Sequence, residues 1–224
     1  MTEVIDLHTH TLLSDGALLP VELLRRAEVN GYAVLGISDH VDMSNLDFVV
    51  PRIAAVAREW NVAADTAVKA IPGAELTHVP PSLIGELVEK ARGLGALYVV
   101  VHGETTAEPV ATGTNRAAID AGCDILAHPG LIAAADAELA AKKGVLLEIT
   151  SRQGHSRANG HVLQVARKTG AGVVINSDAH APEDILTAGD VESVGRGAGM
   201  SNAELSEVRK AAREFAERLL VQAG

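Results

Sequence analysis

The chain of 224 residues fits one domain at the usual size of about 100–200 residues each, and 47% hydrophobic with 21% charged residues excludes a disordered chain. Nineteen Lys+Arg against 29 Asp+Glu leave a net charge of -10, which repels phosphate backbones and anionic membranes at long range. Aromatics make up only 2%, too few to stack bases along a single strand, so a nucleic-acid groove is not expected.

Cys123 is the single cysteine, so neither an intramolecular disulfide nor a cysteine cage for zinc can form, and any metal must be held by His and carboxylate. Residues 1–10 carry Glu3 and Asp6 and lack a basic flank before an apolar run, so no leader is expected. No stretch reaches the roughly 18 apolar residues of a spanning helix. A soluble cytoplasmic protein with no membrane partner is the expectation.

In chain order, β-rich runs alternate with helical periodicity, without a linker or composition shift. The first strand is expected over Val4–His8, followed by a helix over Pro20–Asn30 with Leu23, Leu24 and Ala27 on one face. Val34–Ser38 then precedes a helix over Phe48–Trp60, and Val68–Pro72 precedes one over Pro81–Leu94. Leu97–His102 leads to Asn115–Ala121, Asp124–His128 to Ala135–Lys142, and Val145–Ile149 to His161–Lys168. The seventh strand, Val173–Ser177, is followed by a short helix over Pro182–Ala188. A last helix opens on the capping box Ser201-Asn202-Ala203-Glu204. Gly31, Gly95, Gly122, Gly144 and Gly170 stand where helices stop, and Asn159 reads as an N-cap.

Such alternation implies parallel strands joined by right-handed crossovers, hence a closed barrel or an open doubly wound sheet. Seven units of nearly even length favour the barrel, and no Gly-x-Gly-x-x-Gly follows the first strand. The expectation is an α/β chain: a distorted (βα)7 TIM-like barrel with a C-terminal helix, occupying residues 1–224 as one domain.

In a barrel of this kind chemistry sits at the carboxyl ends of the strands. Those ends read Asp6-Leu7-His8-Thr9-His10 with Asp15 beyond, Ser38-Asp39-His40, Gly73-Ala74-Glu75, His102, His128, Glu148 and Asp178-Ala179-His180. One His at a strand end is most often an ordinary hydrogen-bonded residue. Six of the nine gathered at strand ends point instead to a metal rim. His8 and His10, two apart in an extended segment, face the same side. The cysteine-free donors suit Zn, Mn or Fe. Nine of them, His8, His10, Asp15, His40, Glu75, His102, His128, Asp178 and His180, exceed what one catalytic ion takes, so at least two ions are needed, and three would use all nine.

These motifs, with Ser14-Asp15-Gly16, Pro72-Gly73-Ala74-Glu75, Ala127-His128-Pro129 and Ser177-Asp178-Ala179-His180, resemble the polymerase and histidinol phosphatase (PHP) family from the first strand to the seventh. The resemblance implies a distorted (βα)7 barrel whose trinuclear centre hydrolyses phosphoesters. One ion would take His8, His10, Glu75 and Asp178, a second Glu75, His102 and His128, and a third Asp15, His40 and His180. Leu147–His155 also resembles the stretch after the sixth strand in PHP modules of family X DNA polymerases, although no polymerase portion is present.

The reaction expected is metal-assisted hydrolysis with Asp178 orienting the attacking water, and Arg152, His78 and His155 are the expected phosphate contacts. Asp6, Asp39 and Glu148 are expected to orient ligand imidazoles, and His161 to be structural. A small phosphomonoester, histidinol phosphate among the candidates, fits the charge better than a polynucleotide. The rival readings are a TatD- or amidohydrolase-like barrel with one or two ions, which leaves Asp15, His40 and His180 without work, and a metal-stabilised interaction barrel without catalysis.

Overall fold

The computed structural model describes residues 3–223. Seven parallel strands form a near-closed barrel: β1 (Val4–Asp6), β2 (Tyr32–Ile37), β4 (Lys69–Leu76), β5 (Tyr98–His102), β6 (Ile125–Ala127), β7 (Leu146–Thr150) and β8 (Val173–Asn176), paired in that order. Between β2 and β4 the chain forms β3 (His40–Val41), which pairs only with β4. Their register sets His40 opposite Glu75, so a two-residue strand too short for any periodicity fixes an imidazole beside a carboxylate. The same pairing extends β4 four residues past the expected Pro72.

Closure between β1 and β8 uses single contacts in place of a ladder. Asp178 N–H donates to His8 O and His10 N–H to Ala179 O, both at 2.9 Å. Leu7 N–H donates to Asn176 Oδ1 at 3.0 Å, and Ser177 N–H to Asp6 Oδ1 at 3.2 Å. The seam thus holds the first and last metal-type motifs against each other.

Helices α1 (Pro20–Val29), α2 (Leu46–Val62), α3 (Ile84–Gly93), α4 (Thr114–Asp120), α5 (Ala134–Lys143) and α6 (Asn159–Thr169) cover the outside, each turning its apolar stripe to the sheet. α8 (Asn202–Ala223) does something different: Ala212, Phe215, Ala216 and Leu219 pack with Leu7, Val34, Ile71, Tyr98, Val100, Ile125 and Val174 inside the barrel. Its capping box is formed, with Ser201 N–H donating to Glu204 Oε2 at 2.8 Å. No described helix is long and apolar enough to cross a membrane.

Two local expectations need correction. Pro182–Ala188 is not a helix: a 3-10 turn covers Pro182–Asp184, because the Asp184 carboxylate accepts the N–H groups of His180 and Ala181 at 3.0 Å each and pins that corner. The helix lies further on, as α7 (Ala188–Ala198), capped by Thr187 and Asp190. Asn159 is not an N-cap either; its amide bridges the Thr150 N–H and C=O at 3.2 and 2.8 Å and ties α6 to the end of β7.

The fully buried Tyr98 ring fills the interior between two glycines. A Cβ at Gly36 would overlap the Tyr98 hydroxyl and lie 2.9 Å from Leu7 Cα. Gly36→Ala is therefore expected to cost about 1–3 kcal/mol in urea unfolding, as overpacked cores do. An unchanged midpoint would show that the ring can move aside.

Candidate metal centre

All nine donors converge on the carboxyl-terminal mouth of the barrel. The strands arrive there with fixed stagger, so donors from six strand ends meet at one rim. Glu75 lies at the middle, completely buried. Its Oε2 is 2.8 Å from His40 Nδ1, 3.1 Å from His8 Nε2 and 3.5 Å from His10 Nε2, while Oε1 is 3.8 Å from His128 Nε2. Asp178 sits across from it, with Oδ1 3.1 Å from His10 Nε2 and 3.5 Å from His180 Nδ1, and Oδ2 3.6 Å from His128 Nε2. Asp15 caps the outer edge, its Oδ2 3.3 Å from His180 Nε2 and 3.6 Å from His40 Nε2.

These contacts resolve into groups with the composition and spacing to bind metal ions: His8, His10 and Glu75; His8, His128 and Asp178; and His10, Asp15, His40 and His180. The first two carry one expected ligand set between them, and the last gathers the three donors that a dinuclear barrel would leave without work. The remaining expected set is less close. His102 turns its Nε2 to Glu108 at 3.2 Å and groups with His128 and His155.

The buried polar atoms test whether a cation fits. His8 Nε2, both ring nitrogens of His10, both oxygens of Glu75, His128 Nδ1 and Asp178 Oδ1 are buried and have no hydrogen-bond partner. Each such group costs about 1–3 kcal/mol if left unmade. So many at one spot, alternately carboxylate oxygen and imidazole nitrogen, is the donor chemistry of a divalent-ion site, and the residues fit one.

Electrostatics agree. Burial opposes charge on His8, yet Glu148, Glu75 and Asp178 outweigh it and lift its pKa well above the usual value. Burial also works against a charged His40, but Glu75 and Asp15 raise it to about 9. The same imidazoles overcome burial at Glu75 and hold its carboxyl well below the usual range. Burial, then neighbouring imidazoles, keep His10 and His128 well below theirs, so both are neutral with free lone pairs. Asp178 is pushed up to about 7 by burial. Two donors also hold left-handed backbone, His128 with φ 28° and Asp178 with φ 56°, as does His78 with φ 52°. Non-glycine residues adopt that region at a cost that surrounding structure must offset, and they concentrate at functional sites.

The supporting carboxylates divide their work. Glu148 accepts from His8 Nδ1 at 2.7 Å and from His128 N–H at 3.0 Å, which points His8 Nε2 inward. Asp39 was expected to orient an imidazole; it instead accepts Thr11 N–H, Thr11 Oγ1–H and Ser14 Oγ–H at 2.6–2.8 Å, holding the loop that carries Asp15. Asp6 likewise grips backbone, accepting from His8 N–H and Ser177 N–H at 3.2 Å. His161 lies away from the rim, with Nε2 donating to Ile132 O at 2.9 Å.

Arg152, His155 and His78 reach the same mouth. Arg152 pairs with Asp184 at 3.2 Å and lines a cavity of about 70 Å³ together with Asp15, Asp178 and His180. It also lines an adjoining polar pocket of about 540 Å³ with Ser151, Gln153 and Arg157. His78 and His155 both meet Glu108, at 3.1 and 3.4 Å. Glu108 escaped the sequence reading because it ends no strand; its signal was a carboxylate six residues beyond His102 in the following loop.

A family model described as PHP domain matches residues 6–175. The chain is 45% identical over 201 residues to the uncharacterized protein MJ1295 of Methanocaldococcus jannaschii, covering 89% of this chain and 92% of that one. Two solved structures share the fold. A histidinol phosphate phosphatase from Lactococcus lactis, solved with zinc, L-histidinol and phosphate, superposes with TM-score 0.62 at 16% identity, over 88% of this chain and 94% of that one. A chain of archaeal ribonuclease P solved with mature tRNA gives 0.63 at 19% identity, over 96% and 92%. With this match over most of its length and the His and carboxylate rim it encloses, the chain belongs to the PHP domain family.

Proposed function

We propose that this protein hydrolyses a small phosphomonoester, of the histidinol phosphate kind, at a centre of three divalent ions drawn from Zn, Mn or Fe. The observation that carries it is the set of buried, unpartnered imidazole and carboxylate atoms around Glu75 and Asp178. His8, His10, Glu75 and Asp178 would hold one ion, His102 and His128 with Glu75 a second, and Asp15, His40 and His180 a third. When bound, such ions bring the pKa of a water towards neutrality and neutralise charge on phosphoryl oxygens. Asp178, buried among His8, His10, His128 and His180, orients the attacking water in line with the phosphorus. As the new P–O bond forms, the P–O bond to the alcohol breaks and the proton given up by the water ends on the departing alcohol oxygen, leaving alcohol and inorganic phosphate. Arg152, between the small cavity and the polar pocket, donates to a phosphoryl oxygen in the first while the alcohol portion occupies the second.

His78 and His155 fit a phosphate contact less well than Arg152, because the Glu108 carboxylate in their midst opposes an anion. The net charge of -10 supports a small substrate over a polynucleotide. The ribonuclease P relative is the reason to include RNA in the test. Metal-stripped protein, reloaded separately with Mn, Zn and Fe, is offered a panel of phosphomonoesters and single-stranded RNA and DNA. The expected result is phosphate release from monoesters only after reloading. A higher kcat/KM on RNA would overturn the substrate, and no release from any ester at several pH values would favour an interaction barrel.

A further inference from the structure

Strands β1 and β8 share an isolated bridge, Thr9 to Ala179, and no backbone ladder. Where α7 and α8 cover this seam they leave a cavity of about 190 Å³. Its floor is apolar, built from Val4 and Ile5 of β1, Ile175 of β8, Val191 of α7 and Val208 of α8, and all but Ile5 are buried. The rest of its wall carries charge, Arg209, Lys210 and Arg213 of α8 together with Glu3. Arg213 holds the Glu3 carboxylate at 2.7 Å, and Lys210 lies 4.0 Å from Glu214. Arg209 forms no ion pair among the described residues; its guanidinium donates to Ala188 O at 3.5 Å. Three cations against one lining carboxylate make this cavity positive on a chain whose net charge is -10. Arg209 and Arg213 also stand four apart on one helix face, where like charges repel, a tension that a bound anion relieves.

We propose that this cavity is an effector site for a small organic carboxylate with a compact apolar body. The size fits, because an apolar cavity of about 150 Å³ already takes a benzene-sized body. The chemistry fits as well: the apolar floor takes the body, and Arg209 offers a planar fork of donors that matches a carboxylate in two hydrogen bonds. The neighbouring Arg213 already engages a carboxylate, that of Glu3, in this way of pairing. An occupant touches β1, β8, α7 and α8 at once, so it favours the closed seam and stabilises the fold from the side of the barrel away from the metal rim. The site stands apart from the nine donors and does not depend on the reaction proposed for them.

The test titrates the metal-loaded protein by calorimetry with benzoate, and with benzyl alcohol and benzylamine as the neutral and cationic probes of the same body. Wild type is compared with Arg209→Gln, which removes the charge, and with Ala188→Leu, which extends a side chain from the cavity wall; melting without probe verifies that both variants fold. The expected result is one benzoate per chain, with a melting temperature raised by about 5 °C at about a hundred times the dissociation constant. Binding weakens by more than about tenfold in Arg209→Gln and is lost in Ala188→Leu, while phosphomonoester turnover without probe stays as in wild type. Benzyl alcohol and benzylamine are expected to bind more weakly than benzoate. No binding of benzoate, or equal binding of the three probes, would overturn the proposal. Benzoate binding that is unchanged in both variants would place the probe elsewhere, at the metal rim for example, and would overturn it too. None of these results bears on the phosphoesterase reading, which is tested by activity on esters.

Discussion

Glu75→Gln is expected to lower kcat/KM for the best phosphomonoester by about 10³-fold or more, a loss of about 4 kcal/mol in transition-state stabilisation. The substitution keeps the size of the side chain and removes the charge that four imidazoles share, those of His8, His10, His40 and His128. The pairing of β3 with β4 sets Glu75 opposite His40, and its side chain is completely buried. Its two oxygens have no other partner, and no nearby carboxylate reaches His40 and His8 together. Ion content is expected to fall with activity. His161→Asn, away from the rim, serves as the control and is expected to leave both unchanged. Near-normal turnover in Glu75→Gln would mean that the chemistry does not pass through this carboxylate.

Removing metal is the second large effect. A chelator is expected to lower the melting temperature by about 10 °C. Ions present at about a thousand times their dissociation constants contribute about 4 kcal/mol to the folded state, and a chain of this size shifts about 2–4 °C per kcal/mol. The rim explains why the folded state alone binds them: the donors come from strands far apart in sequence, and only closure of β1 against β8 brings His8 and His10 to Asp178. The effect depends on pH with a definite sign. His40, with a pKa of about 9, and His8, raised well above its usual value, hold protons in the metal-free protein at neutral pH, and ions must displace them. Metal affinity therefore rises from pH 6 towards pH 9, and loading near neutrality releases protons to the buffer. Melting curves that coincide with and without chelator, or affinity independent of pH over that range, would contradict this.

The staves of the barrel were legible because strands buried on both faces leave short apolar runs between glycines and helical stripes, as in Leu97–His102 and Val173–Ser177. The rim was legible because the chemistry needs particular donors at strand ends, and those ends are where the apolar runs stop. What escaped has physical reasons. β3 is two residues long and exists only through pairing with β4. α7 contains Gly189, Gly195 and Gly197, which depress helix propensity, and a Cβ at Gly195 would meet the side-chain ends of Leu205, Ile175 and Met200. Asn159 looked like a cap by type, but its partner is Thr150, a strand-end backbone that local sequence does not show. Glu108 sits in a polar loop whose role depends on three histidines brought from other strand ends, a convergence that only the folded barrel displays.

The most direct test counts metal ions in the folded protein by native mass spectrometry, with phosphomonoesterase activity measured on the same sample. Three ions per chain, with activity rising as the last is bound, is the result expected from the nine imidazole and carboxylate side chains gathered at the rim. Full activity with two ions or fewer would contradict the trinuclear centre.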